Sequence, residues 1–295
     1  APRRSGGRPH RAGTPGPGPG IDPIGFVQSA EWVDVSGEGR LDLVLARSAG
    51  PGTAEGNLVV RTNAGAGDLR GSGSGWDLVI DEDLTEARTL DVDGNAVPDL
   101  IGVAGLGTQV HMALGSGDST VRSFVDVSAS SGVSAGAAFA IVATDLNDDA
   151  DHDVLLLRPE TGGAQPDRQF LWANTTEDEA PVAGSERSMT LRLAPGDEHT
   201  FNRQGLGAIV RVTTTQADGT VLRTSRVFDG GSGRGSQGPD LLSFGVEDAT
   251  SVQIHVDWPD GSTQFIDALS RPQYPQLVIR NTADPEIDPA SITRT

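Results

Sequence analysis

Three acidic segments of similar pattern hold the residues of this sequence that are best suited to chemistry. They read DVSGEGRLDL from residue 34, DVDGNAVPDL from residue 91 and DLNDDADHDV from residue 145. Oxygen-bearing side chains occupy positions 1, 3, 5 and 9 of each segment, an alternation that is typical of ligands gathered around one ion. The candidate metal ligands are Asp34, Ser36, Glu38 and Asp42; Asp91, Asp93, Asn95 and Asp99; and Asp145, Asn147, Asp149 and Asp153.

Calcium is the ion that these loops predict. Ca²⁺ takes about six to eight oxygen ligands, and a tight loop can supply them from carboxylates and a main-chain carbonyl. Two carboxylates about 5 Å apart repel by roughly 3 kcal/mol at an effective dielectric constant of about 20, so a cation is needed to offset the crowding. The EF-hand is disfavoured, because position 12 is Leu45, Gly102 or Leu156 where that motif requires a bidentate glutamate.

The elements that hold the loops are predicted to be short β-strands. Each loop is followed directly by an apolar run, at 43–45, 100–103 and 154–157, and such runs between turn residues are typical of buried strands. The composition of 39 glycines, 18 prolines and only 4% aromatic residues disfavours long helices. We therefore expect an all-β protein in which each metal loop caps a strand.

The last third of the chain alternates apolar and polar residues and lacks acidic loops. Met189, Leu191 and Leu193 share one face of a predicted strand, and residues 252–258 alternate in the same way. Turn sequences such as Pro-Asp-Gly at 259–261 separate these strands. The pattern predicts a small antiparallel β-sandwich or barrel.

The acidic loops resemble those of FG-GAP or VCBS repeats, which read D-x-[DN]-G-[DN]-G-x-x-D-[LIV] between strands of a β-propeller blade. NLVVRTNAG at 57–65 and SFVDVSASSGV at 123–133 look like the later strands and inter-blade link of such blades. The resemblance covers about residues 21–184 and implies propeller-type, calcium-binding repeats. A propeller closes with about four to eight blades, whereas three loops are visible. Either other blades lack their loops or the chain is a fragment, and we favour the fragment.

The C-terminal part resembles the ASPIC/UnbV domain. The matching stretches, in order, are GLGAIVRV at 205–212, RTSRVFDGGSGRGSQ at 223–237, LLSFGV at 241–246, VQIHVDWPDG at 252–261 and YPQLVIRN at 274–281. Repeats followed by this domain are similar to the organisation of the cartilage acidic protein-like family. The predicted organisation is a disordered Gly-, Pro- and Arg-rich arm at 1–20, FG-GAP/VCBS-like repeats at 21–184, an ASPIC/UnbV-like β domain at 185–282 and a tail at 283–295.

The charge of the chain excludes some classes of partner. It has 22 basic residues, all arginine, against 41 acidic ones, for a formal net charge of −19. Such a chain repels nucleic-acid phosphates and anionic lipid surfaces, and no apolar run has the length needed to insert into a membrane. The lysine-free, Ala- and Gly-rich usage indicates a bacterial, GC-rich source.

The motif search favours binding over catalysis. The sequence has no P-loop, no G-x-S-x-G and no H-E-x-x-H. We therefore expect a non-enzymatic calcium-binding recognition or adhesion protein whose exposed loops contact a protein or a glycan. Extracellular calcium modules bind at about 10⁻⁴–10⁻³ M, which predicts an extracellular, periplasmic or cell-surface location.

Two alternatives stay open. One is a polysaccharide lyase or hydrolase that uses a propeller cleft, although the single tyrosine, Tyr274, lies in the ASPIC/UnbV-like part and disfavours a tyrosine-based lyase. The other is a structural subunit of a surface assembly. The partner, the number of blades, the oligomeric state and the presence of an upstream signal peptide are also left open.

Overall fold

The computed structural model describes residues 26–49, 57–65, 68–71, 83–104, 109–118, 122–133, 138, 140–146, 151–157, 170–174, 188–195, 205–230, 241–246, 249–270 and 276–281. Within them, the chain is mainly β-strand. The first strands are β1 (Phe26–Val33), β2 (Asp42–Ser48), β3 (Asn57–Asn63), β4 (Leu69–Gly71), β5 (Leu84–Leu90), β6 (Asp99–Ala104), β7 (Gln109–Ser116) and β8 (Ser123–Asp126). After the short helix α1 (Ser128–Ser131) come β9 (Ala140–Thr144), β10 (Asp153–Leu157) and β11 (Phe170–Trp172). The last strands are β12 (Ser188–Pro195), β13 (Ile209–Gln216), β14 (Val221–Val227), β15 (Leu242–Gly245), β16 (Ala249–Asp257), β17 (Thr263–Ser270) and β18 (Gln276–Asn281).

Each acidic loop joins the first two strands of an antiparallel unit. β1 to β4 are consecutive neighbours in one unit, β5 to β8 in a second and β9 to β11 in a third. The registers of the three units agree, because the residue before each loop pairs with the ninth loop residue. These pairs are Val33 with Asp42, Leu90 with Asp99, and Thr144 with Asp153. The three sequence repeats are therefore structural repeats as well.

Apolar side chains pack between neighbouring repeats. Val44 of the first repeat and Leu100 of the second share one buried cluster. Ile101 of the second repeat lies in another with Ile141 and Leu156 of the third. Successive residues of β6 thus face opposite neighbours, as expected for a strand buried on both faces.

Among the described residues, no helix combines the length and the apolar character that a membrane span requires.

Two sheets enclose the core of the C-terminal part. One has the order β17-β16-β13-β14 and the other the order β15-β12-β18. The expected alternation is confirmed, since Met189, Leu191 and Leu193 are buried against Ile254 and its neighbours on β16. The strand pairs of these sheets are antiparallel except for β12 with β18, which is parallel.

The first repeat and the C-terminal part share one continuous sheet. β14 pairs with β1 through Arg226 and Val33, and the Asp34 N–H donates to the Ser225 carbonyl at 2.9 Å. The described strands form open sheets and no closed barrel or propeller. The all-β prediction is thus confirmed, whereas a propeller architecture stays a prediction.

Ile254 tests the assignment of the C-terminal core. Its side chain is fully buried, so Ile254→Ala should lower the free energy of unfolding by about 3 kcal/mol in urea titrations. Val221→Ala, at an exposed position of β14, is the matched control and should cost less than about 0.5 kcal/mol. Equal losses in the two variants would contradict the described packing.

Candidate metal centre

The second loop brings three carboxylates together. Asp91 precedes the loop's turn, Asp93 lies within it and Asp99 begins β6, and one oxygen of each lies within 4.8 Å of the others. Asp91 is 4% exposed and Asp99 is fully buried. These are three of the four ligands that the sequence predicts for this loop. The cluster therefore has the donor set of a site for a hard cation.

One carboxylate oxygen in this cluster is buried and unsatisfied. Asp91 Oδ2 accepts a hydrogen bond from the Gly245 N–H at 2.9 Å, whereas Asp91 Oδ1 has no hydrogen-bond partner among the described residues. Leaving a buried charged acceptor unpaired is costly, so such an atom calls for a partner. A cation bound among the three carboxylates would supply one.

The raised pKa values of two carboxylates in the cluster indicate that their negative charges are not fully balanced by the protein. Burial, followed by repulsion from Asp93, raises the pKa of Asp91 from 3.8 to about 7. Burial and repulsion from Asp91 and Asp93 raise the pKa of Asp99 well above its ordinary value. Carboxylates whose charged forms repel one another in this way favour either protons or a bound cation.

The ninth residue of every loop also has a structural role. Each of these aspartates accepts one backbone N–H from its own loop and one from the end of the third strand of its repeat, at 2.6–2.9 Å. The donor pairs are Ser36 and Asn63 for Asp42, Val92 and Gly115 for Asp99, and Leu146 and Asn174 for Asp153. The same side chain therefore fastens loop, second strand and third strand in all three repeats.

The first loop satisfies its leading carboxylate with backbone amides. Asp34 accepts hydrogen bonds from the N–H groups of Gly37 and Gly39 at 2.7 and 2.6 Å, and from the Ser36 hydroxyl at 3.3 Å. The Glu38 N–H also donates to Asp34 at 3.1 Å, but the Glu38 side chain forms an exposed ion pair with Arg40. Of the four residues predicted here, the structure thus brings together Asp34, Ser36 and Asp42, but not Glu38.

An arginine from the second repeat supplies positive charge to the first loop. Arg122 is buried, its guanidinium lies against the Cα of Gly37, and its strongest charge interaction is with Asp34. Burial and repulsion from Asp42 nevertheless raise the pKa of Asp34 to about 7. Arg226 and Arg122 also interact electrostatically with Asp91, so arginine charge reaches both loops, and the second loop differs in the unpaired Oδ1 of Asp91.

Asn95 is turned towards its own loop. Its amide nitrogen donates to Asp93 Oδ2 at 3.0 Å and to the Gly115 carbonyl at 2.9 Å, while its Oδ1 accepts the Val97 N–H at 2.7 Å. At the next position Ala96 has a φ of 65°, a left-handed conformation that is uncommon for a residue other than glycine. Asn95 thus shapes the loop and holds Asp93 in position.

The third loop is described only in part. Asp153 is buried and Asp145 is half-buried, whereas Asn147 and Asp149 lie outside the described residues. His152 is buried, with its Nδ1 3.3 Å from the Asp91 carbonyl. Burial and the nearby Arg226 charge lower the pKa of His152 to about 4, so the imidazole is neutral at pH 7. The third loop therefore packs directly on the second.

The C-terminal part covers the second loop, which sequence reasoning missed. Gly245 approaches so closely that a Cβ atom there would overlap Asp91 Oδ2, the Ala96 nitrogen and the Gly94 carbonyl. The Thr224 hydroxyl donates to the Ala96 carbonyl at 2.8 Å. The second loop is therefore covered by the C-terminal part, and recognition by other, exposed loops stays a prediction. The one available signal was the glycine in LLSFGV, since glycine permits a close backbone approach.

The fold and the site define a class of all-β protein in which acidic-loop repeats are joined to a two-sheet β domain. Residues 198–283 match the family described as ASPIC and UnbV, which confirms the resemblance of the C-terminal part. The curated proteins include no match to the chain. The FG-GAP/VCBS resemblance of residues 21–184 and membership of the cartilage acidic protein-like family stay predictions.

The substitution Asp93→Ala tests whether Asp93 is a metal ligand or only a turn residue. If Asp93 ligates Ca²⁺, the substitution should lower the melting temperature in millimolar Ca²⁺ and have little effect in chelator. A site filled about a hundredfold above its Kd contributes roughly 2.7 kcal/mol, which sets the upper bound of the loss. Ile254→Ala, in the core of the C-terminal part, is the comparison and should destabilise equally with and without Ca²⁺. A loss that is the same in both buffers for Asp93→Ala would identify a purely structural turn.

The calcium-free protein should become less stable as the pH rises from about 4 to about 7. The pKa values of Asp34 and Asp91 are raised from 3.8 to about 7, so the folded state holds protons that the unfolded chain has released. Their stabilising contribution is complete below pH 3.8 and disappears as the pH passes 7. His152 acts oppositely because its pKa is lowered, but the pKa values of Glu31, Asp42 and Asp99 are raised as well and act in the same direction as those of Asp34 and Asp91. Thermal melts of metal-stripped protein across this range measure the slope, and a rise in stability with pH would contradict it.

Proposed function

We propose that this chain is a calcium-binding recognition or adhesion protein of the cell exterior or cell surface. The observation that supports the proposal best is the buried cluster of Asp91, Asp93 and Asp99, in which Asp91 Oδ1 has no protein partner among the described residues. Three carboxylates, one of which has an oxygen without a hydrogen bond, provide the oxygen ligands that a hard divalent cation binds.

The donor chemistry favours Ca²⁺ over transition metals. The cluster offers carboxylate oxygens, and the whole sequence contains no cysteine to supply a soft thiolate ligand. Carboxylate, carbonyl and water ligands suit calcium and magnesium, and Ca²⁺ accepts the flexible geometry that a loop provides. Affinity of the extracellular class, about 10⁻⁴–10⁻³ M, would fill the site outside cells, which supports the proposed location.

The three loops differ in how much they need an ion. The second loop has the unsatisfied oxygen, whereas the first has Arg122 beside Asp34 and four hydrogen bonds to that carboxylate from its own residues. We therefore propose the second loop as the main site. The third loop is proposed as a further site on its sequence, with Asp145 and Asp153 among the ligands. The first is proposed as the weakest.

Calcium in the second loop would act at the junction between the repeats and the ASPIC/UnbV-like domain. Gly245 donates its N–H to one oxygen of Asp91, and the ion would bind the other. Both interactions favour the same orientation of one side chain, so each should strengthen the other. The ion would thus fix how the C-terminal domain is presented to a partner.

Calorimetric titration of the full chain with CaCl₂ tests the proposal. We expect saturable binding to the wild type, and affinity about tenfold lower in Gly245→Ala, because the added methyl group displaces the domain from the loop. Val221→Ala, at an exposed position of the same domain, is the control and should bind Ca²⁺ like the wild type. Absence of binding to the wild type would overturn the proposed function. Unchanged affinity in Gly245→Ala would overturn the coupling to the junction.

A further inference from the structure

A cavity of about 110 Å³ lies where the three repeats meet the C-terminal domain. The first strand of each repeat contributes the residue three positions before its acidic loop: Glu31 from β1, Arg88 from β5 and Val142 from β9. The C-terminal domain closes the cavity with Arg226 of β14 and Leu242 of β15. Equivalent positions of the repeats and one face of the domain thus converge on a single space.

Arg226 lines this cavity, and its guanidinium makes few hydrogen bonds. The residue is 9% exposed, and its Nε has no hydrogen-bond partner among the described residues. Its Nη1 makes only a long contact of 3.4 Å with the Thr89 carbonyl. A guanidinium has five N–H donors, and burying them without acceptors is unfavourable. A ligand oxygen in the cavity would give the outer nitrogens of the guanidinium a closer acceptor.

The charges around the cavity argue against an anionic ligand. Arg88 and Arg226 are accompanied in the lining by three carboxylate residues, Glu31, Asp145 and Asp229. Glu31 accepts hydrogen bonds from the Thr89 N–H and hydroxyl, both at 2.8 Å. Because the lining has both signs and no excess of positive charge, it matches an uncharged molecule whose groups both donate and accept hydrogen bonds. Hydroxyl groups do both.

An aromatic side chain adds an apolar surface to the same cavity. Trp32, next to Glu31 on β1, lines the cavity and leaves 42% of its surface exposed. Small-molecule sites commonly combine apolar or aromatic walls with a few placed polar groups. An indole beside charged donors and acceptors suits a ring with apolar C–H faces and a rim of hydroxyls.

We infer that this cavity and the exposed Trp32 at its edge bind a neutral monosaccharide unit, such as the terminal hexose of a glycan, with only part of the ring inside the cavity, which is smaller than a whole hexose. The inference rests on the proposed recognition function and specifies its ligand as carbohydrate. Arg226 donates to a ring or hydroxyl oxygen, Glu31 and Asp229 accept from hydroxyls, and Trp32 covers one face of the ring. Residues of both the repeats and the C-terminal domain line this site, so neither part of the chain forms it alone.

Titration with single sugars tests the inference directly. The full chain in millimolar Ca²⁺ is titrated with glucose, galactose, mannose and N-acetylglucosamine, and the Trp32 indole N–H resonance is followed by NMR after assignment with Trp32→Phe. We expect at least one sugar to shift this resonance with a Kd of about 1 mM. Arg226→Lys, which keeps the charge but loses Nε and the planar fork, should weaken binding about tenfold. Arg223→Lys, at an exposed position of the same strand, should leave it unchanged.

The unmodified chain keeps the inference testable even if Arg226→Lys fails to fold. Glucuronate and acetate are titrated beside the neutral sugars, and tighter binding of either acid would overturn the inference in favour of an anion site. No shift with any neutral sugar would overturn it as well. Calcium binding is measured separately by calorimetry, so a sugar failure with intact calcium binding leaves the proposed metal site standing. Release of nitrophenol from nitrophenyl glycosides would instead overturn the non-catalytic function.

Discussion

Burial of negative charge is the constraint on which the rest of this structure depends. Asp34, Asp42, Asp91, Asp99 and Asp153 are all withdrawn from solvent, and each ionised carboxylate must be stabilised by something other than bulk water. The protein uses backbone amides at the ninth position of every loop and the Arg122 guanidinium at the first loop. At the second loop these devices fall short, and this difference singles out the Asp91 cluster as the place for an added cation.

The same constraint explains why the repeats and the C-terminal domain meet at the loops. A carboxylate that accepts a hydrogen bond from Gly245, and a loop carbonyl that accepts one from Thr224, are interactions that only a second structural unit could supply. The continuous sheet from β1 to β14 adds a backbone connection beside them. The junction is therefore built from polar backbone contacts around buried charge.

Local chemistry could be predicted from the sequence, and contacts between distant segments could not. The Asp spacing and the apolar runs after it identify the loops and the strands that they cap, because those relations lie within about ten residues. The alternation around Met189 and Ile254 likewise identifies the buried face of each strand. Glu38 shows that such a prediction can fail even at short range, since its exposed side chain pairs with Arg40 and does not join Asp34 and Asp42.

The missed residues share a physical reason. Arg122, His152 and Gly245 act on loops of other repeats or of the other domain, and no periodicity within their own strands indicates that role. Arg226 occupies an ordinary position in β14, and only the convergence of three first strands shows that its side chain enters a cavity. Such roles arise from the tertiary arrangement, which one sequence without its structure does not specify.

The close approach of Gly245 limits how freely these two modules could be exchanged. Its missing side chain is matched to the backbone shape of one particular Asp-x-Asp turn, including the left-handed Ala96. A β domain of this kind transplanted onto unrelated repeats would face a turn of another shape, lose its anchoring hydrogen bonds and be held by its linker alone. Exchange of such modules between proteins would therefore succeed only when the β domain and the repeat that it contacts are inherited together.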